Sequence, residues 1–251
     1  MITIEDINKV IEKIKNEHTK EYIEISISGD RGLNVSTSKF GGVPYIAQDT
    51  QAPVDVEGNQ LALLAQINCT ELPENDIYPK EGLVQFWISR DDSFGLFSKG
   101  TNVVKYIKNI DENITNGDVL NKYHLPSEDN DEEYSPFHEK DASFALTFNK
   151  GTSTITATDF LFEDVAKDAI HELFPDAQVA DLYEDLDSEV YETLFKAFNG
   201  VQHAIGGYPT FVQWDPRDPD NKDAYDTMLL QIESEWDVNT KDNLIMWGDS
   251  G

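Results

Sequence analysis

The segment Phe40-Gly41-Gly42-Val43-Pro44 recurs 165 residues later (41 to 206) as Ile205-Gly206-Gly207-Tyr208-Pro209. The same spacing separates Gln48 from Gln213, and the apolar segment 63–67, which contains Gln66, from the segment 228–232, which contains Gln231. Several matches at one fixed spacing indicate a duplicated structural unit. We therefore place one copy at about residues 36–90 and a second copy at about residues 201–251.

Apolar periodicity predicts more strands than helices. Alternating or short apolar runs predict strands at 22–28, 44–47, 61–68, 82–89, 103–107 and 144–148. Helical periodicity predicts helices at about 3–18, at about 163–173, and between the N-cap Asp187 and the terminating Gly200. Strands and helices do not alternate regularly, which argues against a doubly wound parallel sheet. We predict one α+β domain over residues 1–251: a mainly antiparallel sheet built from two similar halves, with helices at the N-terminus and between the repeats.

Two regions depart from this regular pattern. Residues 109–142 are rich in acidic and other polar residues, with an acidic run at 128–133, and we predict a solvated loop outside the core. The second copy reaches Gly251 where the first copy begins its strand at Gly82. We expect either that the second copy lacks its last strand, which would leave an exposed sheet edge, or that the sequence is a piece of a longer chain.

The chain is strongly acidic, with 48 acidic against 19 basic residues and a formal net charge of −29. Such a field repels phosphate backbones and anionic lipid, so we expect neither nucleic-acid nor membrane binding. No apolar run approaches the ~18 residues that span a bilayer, and the N-terminus does not resemble a signal peptide. The single cysteine, Cys69, excludes an internal disulfide. We predict a cytoplasmic protein whose charge serves either solubility alone or attraction of a cationic partner.

The motifs of known catalytic chemistry are absent or incomplete. Gly248-Asp249-Ser250-Gly251 spells a serine-protease nucleophile motif, but no activating histidine segment accompanies it, so we interpret it as a turn after a strand at 244–247. The five histidines do not cluster, and no P-loop or dinucleotide fingerprint occurs. The run Asp215-Pro216-Arg217-Asp218-Pro219-Asp220 lacks the calcium-loop register. We expect no cofactor and no metal.

The repeated glutamines are the best candidate site residues. Gln66 and Gln231 lie in apolar strands, where a buried amide has to be hydrogen-bonded. One interpretation is structural: each amide satisfies backbone groups in its own half. The other is a ligand cleft between the two copies. The candidate ligand-binding residues are Gln48, Gln66, His203, Gln213, Trp214, Arg217, Gln231 and Asp249.

Six ordered segments together resemble the bacterial YwqG-like family. They are residues 40–45, 63–68, 82–87, 203–209, 213–217 and 247–251, and they extend over nearly the whole chain. The resemblance implies an α+β fold and a domain of unknown function, with no catalytic residues to transfer. It also implies a further Phe-rich strand after 247–251, in agreement with the incomplete second copy.

Two functional hypotheses remain, and the first is favoured. The protein is a non-catalytic binding module whose acidic surface engages a basic protein, for example in an immunity-type role against a cationic toxin. Alternatively, it is an enzyme or small-molecule binder with a cleft between the repeats. The sequence does not predict an oligomeric state.

Overall fold

A computed structural model describes residues 2–28, 33–96, 98–213, 215–217, 225–237 and 242–248. These residues form five α-helices: α1 (Ile4–Glu17), α2 (Asn116–Leu120), α3 (Phe162–Leu173), α4 (Leu182–Asp185) and α5 (Ser188–Lys196). They form ten strands: β1 (Thr19–Ser28), β2 (Lys39–Gly41), β3 (Ala62–Asn68), β4 (Leu83–Ile88), β5 (Val103–Ile107), β6 (Ser143–Thr154), β7 (His203–Gly206), β8 (Gln231–Ile232), β9 (Glu235–Asp237) and β10 (Asp242–Ile245).

Eight of these strands form one antiparallel sheet in the order β5-β4-β3-β2-β6-β1-β7-β8. The strands β9 and β10 pair antiparallel in a separate two-stranded sheet. The predicted α+β class with mainly antiparallel pairing is therefore confirmed. In the described part of the chain, no helix combines the length and apolar character needed to cross a membrane.

The chain divides into two compact units, and the division passes through the long strands β1 and β6. The first unit comprises Met1–Glu24 and Lys150–Ile232, and the second comprises Ile25–Asn149 and Glu233–Gly251. The first sequence copy lies in the second unit, whereas the second copy is divided between the units at residue 232.

The core of the first unit is formed by helices packed around α1. Thr3 and Asp6 form a capping box that begins α1, and the helix buries an apolar stripe that includes Ile7, Val10 and Ile14. This stripe shares one apolar cluster with residues of α3 and α5, including Phe162. The three helices predicted from periodicity are confirmed. Most of their ends lie within one or two residues of the predicted positions.

The core of the second unit includes residues from the segment that we predicted to lie outside it. Trp87 of β4 packs edge-on against Tyr123, with ring centroids 5.8 Å apart, and the Tyr123 hydroxyl accepts a hydrogen bond from the Leu63 N–H at 3.2 Å. Val119 of α2 is also fully buried in this cluster. The prediction for 109–142 was therefore wrong at these positions, because single apolar residues between acidic ones produce no periodic signal.

Candidate functional site

The Gln66 side chain is completely buried and uses all of its hydrogen-bonding capacity. Its Oε1 accepts from the Tyr45 N–H at 2.9 Å and from Gln85 Nε2 at 2.8 Å. Its Nε2 donates to the carbonyl oxygens of Val35 and Thr37 at 2.7 and 2.9 Å. Gln66 therefore joins β3 to three neighbouring segments, and no polar atom of this amide is left to bind a ligand.

Gln85 and Trp87 extend this network along β4. Gln85 Nε2 also donates to the Tyr45 carbonyl oxygen at 2.7 Å, and Trp87 Nε1 donates to Gln85 Oε1 at 3.2 Å. A buried network in which each member is satisfied rigidifies the core. The buried amides of the first copy are therefore part of the scaffold.

Gln231 makes similar contacts with backbone in the first unit. Its Oε1 accepts from the Thr210 N–H at 2.8 Å, and its Nε2 donates to the Val201 carbonyl oxygen at 2.7 Å. Thr210 and Tyr45 are separated by the same 165 residues as Gln231 and Gln66 (45 to 210). The strand registers also correspond, with Lys39 opposite Gln66 and Ala204 opposite Gln231. Each of the two side chains binds backbone in its own unit, as the structural interpretation expects.

The repeated Gly-Gly pairs form the same backbone turn in both units. Gly41 and Gly42 have φ values of +64° and +69°, and Gly206 and Gly207 have values of +72° and +76°. A Cβ atom on Gly41 would clash with the Ala142 carbonyl oxygen. The turn ends β2 at Gly41 and directs the Tyr45 N–H toward Gln66. The strand predicted at 44–47 is therefore absent, because its backbone bonds to a side chain instead of a sheet ladder.

Lys39 is a fully buried cation beside this turn. Its Nζ donates to the carbonyl oxygens of Asn34 and Val43 at 2.6 and 2.7 Å. Burial lowers the pKa of Lys39 to about 7, and the charge of Glu71 opposes this effect. A neutral amine has two N–H donors and can keep both hydrogen bonds, so the site tolerates loss of the proton.

Arg217 forms a compact ion cluster in the first unit. Its guanidinium donates to both carboxylate oxygens of Asp215 and, through Nη2 at 2.8 Å, to Asp159 Oδ2. The group also lies over the Phe160 ring, 4.7 Å from its centroid. Although partial burial alone would raise the pKa of the Asp215 carboxyl, the hydrogen bonds and charge of Arg217 lower it. Arg217 is therefore paired internally with two aspartates.

The remaining predicted site residues lie in different surroundings. Gln48 and Gln213 are exposed, and His203 is buried in β7. Arg217 and Gln231 line one cavity of about 370 Å³ in the first unit, together with Phe211. Gln48 and Gln66 belong to the second unit. Trp214 and Asp249 lie outside the described residues, as do the last three residues of the Gly-Asp-Ser-Gly motif.

A polar cleft of about 540 Å³ in the second unit was not anticipated from the sequence. Arg90 lies at its wall with only 10% of its side chain exposed, and Nη1 pairs with Glu133 at 2.8 Å. Nη2 donates to the His124 carbonyl oxygen and, at 3.3 Å, to Gln60 Oε1. We refer to this feature as the Arg90 cleft. Its acidic lining residues are Asp55, Glu57, Asp91, Glu132 and Glu133.

Three of these five carboxylates are engaged within the protein. Hydrogen bonds from Asn59 and from backbone N–H groups lower the pKa of Asp55. Partial burial raises the pKa of Asp91, but hydrogen bonds from Ser89, Gly95 and Ser93 outweigh it and lower the pKa overall. Glu133 binds Arg90 and the Ser127 N–H.

Glu57 and Glu132 differ from the other acidic residues of the Arg90 cleft. Both are exposed, and within the described residues neither side chain has a hydrogen bond or ion pair. These two carboxylates are therefore available to a cation from outside. Because the cleft is assembled from segments near residues 55–61, 89–91, 98–101, 124 and 130–133, the only sequence signal was the acidic run at 128–133. Among the described residues, no group of three His, Cys, Asp or Glu side chains is placed to hold a metal ion.

A family model described as "Domain of unknown function (DUF1963)" matches residues 38–251. The match includes both copies of the repeated Gly-Gly-x-Pro segment and all of the residues that line the Arg90 cleft. A search of curated proteins found no match.

Proposed function

The chain belongs to the DUF1963 family, a domain of unknown function, and from this premise we propose that it is a non-catalytic binding protein of the cytoplasm whose acidic surface engages a basic protein. Within that family we assign it to the YwqG-like group, on the six sequence segments given above. An immunity-type role, in which the acidic surface neutralises a cationic toxin, is one form of this function.

The observation that carries the proposal is the net charge of −29 together with the way the basic residues are used. Many of the 19 basic side chains are occupied internally. Lys122 Nζ donates to three backbone carbonyl oxygens, Lys39 to two, and Arg217 binds two aspartates. These cations therefore contribute little to attracting anions, and the outward field is that of the excess carboxylates.

The Arg90 cleft is the place where we expect a basic side chain of the partner to bind. Glu57 and Glu132 supply carboxylates that are not engaged elsewhere in the described part of the chain. Val56 beside them is 82% exposed and offers an apolar contact for the methylene stem of a lysine or arginine. Charge pairs at a rim of this kind set the rate and salt dependence of association more than its final affinity.

We also propose that the two copies arose by internal duplication. The corresponding glutamine contacts, strand registers and glycine turns support this proposal. Internal duplication explains the repeated segments by their role in the backbone fold of both units. These segments therefore do not have to form a ligand site in either unit.

The test is capture of partners from a lysate of the source cells by the immobilised protein. We expect one basic protein to be retained in about 50 mM salt and released in about 500 mM salt, because salt screens exposed charge pairs. The double variant Glu57→Gln/Glu132→Gln should retain several-fold less of that same protein. The matched control Glu74→Gln/Asp76→Asn removes the same charge from exposed residues outside the cleft and should retain as much as the wild type.

Three outcomes would contradict the proposal. One is recovery of no salt-sensitive basic protein. The second is equal loss with both double variants, which would mean that net charge alone governs binding. The third is turnover of a small substrate by the purified protein, which would favour the enzyme alternative.

A further inference from the structure

The stretch from Lys99 to Lys108 is unusual in this acidic chain, since it contains three lysines and no acidic residue. Lys108 lies 3.6 Å from Glu81. Within the described residues, Lys99 and Lys105 have neither an ion pair nor a hydrogen bond from their ammonium groups. The ammonium groups of Lys99 and Lys105 are therefore available to a carboxylate from outside.

This stretch includes β5, the last strand at its end of the eight-stranded sheet. Its inner edge pairs with β4 over five residues, Val103–Ile107. Within the described part of the chain, no strand pairs with its outer edge. An outer edge of this kind presents backbone N–H and C=O groups that can pair with another extended chain.

The two faces of β5 differ in chemistry. Val104 and Tyr106 point to one face and are 55% and 48% exposed. Val103 and Ile107 point to the other face and pack against the core of the second unit, with Lys105 between them opposite Gln85. Side chains of a strand added to this edge would alternate between the same two faces. Residues beside Val104 and Tyr106 would meet apolar surface, and a residue beside Lys105 would meet a cation.

An apolar groove of about 330 Å³ continues the exposed face at one end of β5. Its lining includes Phe86, Leu96 and Val104, with Leu96 59% exposed. Phe94 at this groove has φ of +51°, a left-handed conformation that is costly for an aromatic residue, and its ring lies edge-on to Trp247 at 5.4 Å. Strained backbone of this kind is concentrated at binding sites.

We propose that the outer edge of β5 binds an extended peptide segment in which apolar residues alternate with acidic residues. The backbone pairs with β5, the apolar side chains cover Val104 and Tyr106 and enter the groove, and a carboxylate lies beside Lys105. The choice of an acidic partner rests on charge complementarity with Lys99 and Lys105. This surface adjoins the Arg90 cleft, whose lining includes Ser98 and Thr101, but its partner has the opposite charge.

Fluorescence anisotropy with labelled heptapeptides tests the proposal. One probe alternates valine with aspartate, a second has lysine in place of each aspartate, and a third contains the residues of the first in scrambled order. The titrations are run in about 150 mM salt, which limits the repulsion of the acidic probe by distant charges. We expect the wild type to bind the first probe and to discriminate against the other two.

Two charge-reversal variants locate the interaction. Lys105→Glu should weaken binding of the aspartate probe about tenfold and improve binding of the lysine probe, since the cross-strand charge pair changes sign. Lys196→Glu changes the net charge by the same amount on the exposed surface of α5 and should leave binding within about twofold of wild type. Val104→Asp, at an exposed position, should also abolish binding of the aspartate probe.

Other outcomes would overturn the proposal. It is wrong if the wild type binds none of the probes, or if Lys105→Glu and Lys196→Glu weaken binding equally. It is also wrong if the wild type dimerises through this edge and Val104→Asp abolishes the dimer, because the occupant is then a second copy. Concentration-dependent association of Lys105→Val, with no probe binding by wild type, would identify Lys105 as a residue that prevents edge-to-edge pairing.

Discussion

Replacement of the buried Lys39 should remove a specific pH dependence of stability. The pKa of Lys39 is about 7 in the folded protein and 10.5 as the unperturbed value, and burial is the main cause of the difference. Between these values the unfolded chain holds the proton and the folded protein does not. Stability therefore rises with pH across this window, with a full range of about 5 kcal/mol at 1.4 kcal/mol per pH unit. Between pH 7 and pH 9 the expected rise is about 2 kcal/mol.

The measurement is urea unfolding of wild type and Lys39→Met at pH 7, 8 and 9. The variant should lose the rise of about 2 kcal/mol, because methionine does not titrate. It should also be less stable than wild type at pH 9, since the Asn34 and Val43 carbonyl groups lose their buried donor at about 1–3 kcal/mol each. Titration of the buried Cys69 thiol, whose pKa burial raises, affects both proteins equally.

The control is Lys99→Met, which removes an exposed lysine and should keep the pH dependence of the wild type. If Lys39→Met shows the same rise between pH 7 and pH 9 as the wild type, Lys39 is protonated throughout this range in the folded protein. In that case the reasoning from its burial is wrong.

Five further substitutions test the scaffold by urea unfolding. Gln66→Leu should destabilise by about 2–4 kcal/mol, because buried backbone groups lose their partners, and Gln231→Leu should cost less because its site is only partly buried. Gly41→Ala should destabilise by more than about 2 kcal/mol, since its Cβ would clash with the Ala142 carbonyl oxygen, whereas Gly58→Ala has only the strain of a positive φ, about 1 kcal/mol. Arg217→Met should cost about 3–5 kcal/mol, because two buried carboxylates lose their cation. Equal losses of stability for Gln66→Leu and Gln231→Leu, or for Gly41→Ala and Gly58→Ala, would contradict these assignments. A loss of stability below about 1 kcal/mol for Arg217→Met would also contradict them.

Much of the fold could be predicted because local signals are strong where one face of an element is buried. The capping box and apolar stripe of α1, and the alternation in β1, are periodic over many residues. The buried glutamines were also predictable in kind, since an amide in an apolar strand has to find partners. The hydrogen-bond partners of these glutamines could not be predicted, because Val35 and Thr37 lie about 30 residues from Gln66 along the chain.

The errors arose where tertiary contacts override local pattern. Residues 44–47 are apolar and follow a turn, but the glycine conformations direct the Tyr45 N–H to a side chain. Val119 and Tyr123 are single apolar residues in an acidic segment, and only packing against Trp87 and its neighbours identifies them as core. The Arg90 cleft likewise depends on contacts between distant segments, which a single sequence does not reveal.

Site-specific photo-crosslinking from the Arg90 cleft tests the central claim most directly. A benzophenone amino acid replaces Val56, which is 82% exposed at the cleft, and in a control protein it replaces Tyr183, which is 76% exposed on α4. Irradiation in a low-salt lysate of the source cells should attach one basic protein to the Val56 position and leave the Tyr183 position without it. Attachment of the same protein at both positions, or of no basic protein at Val56, would contradict an acidic surface that recognises its partner through this cleft.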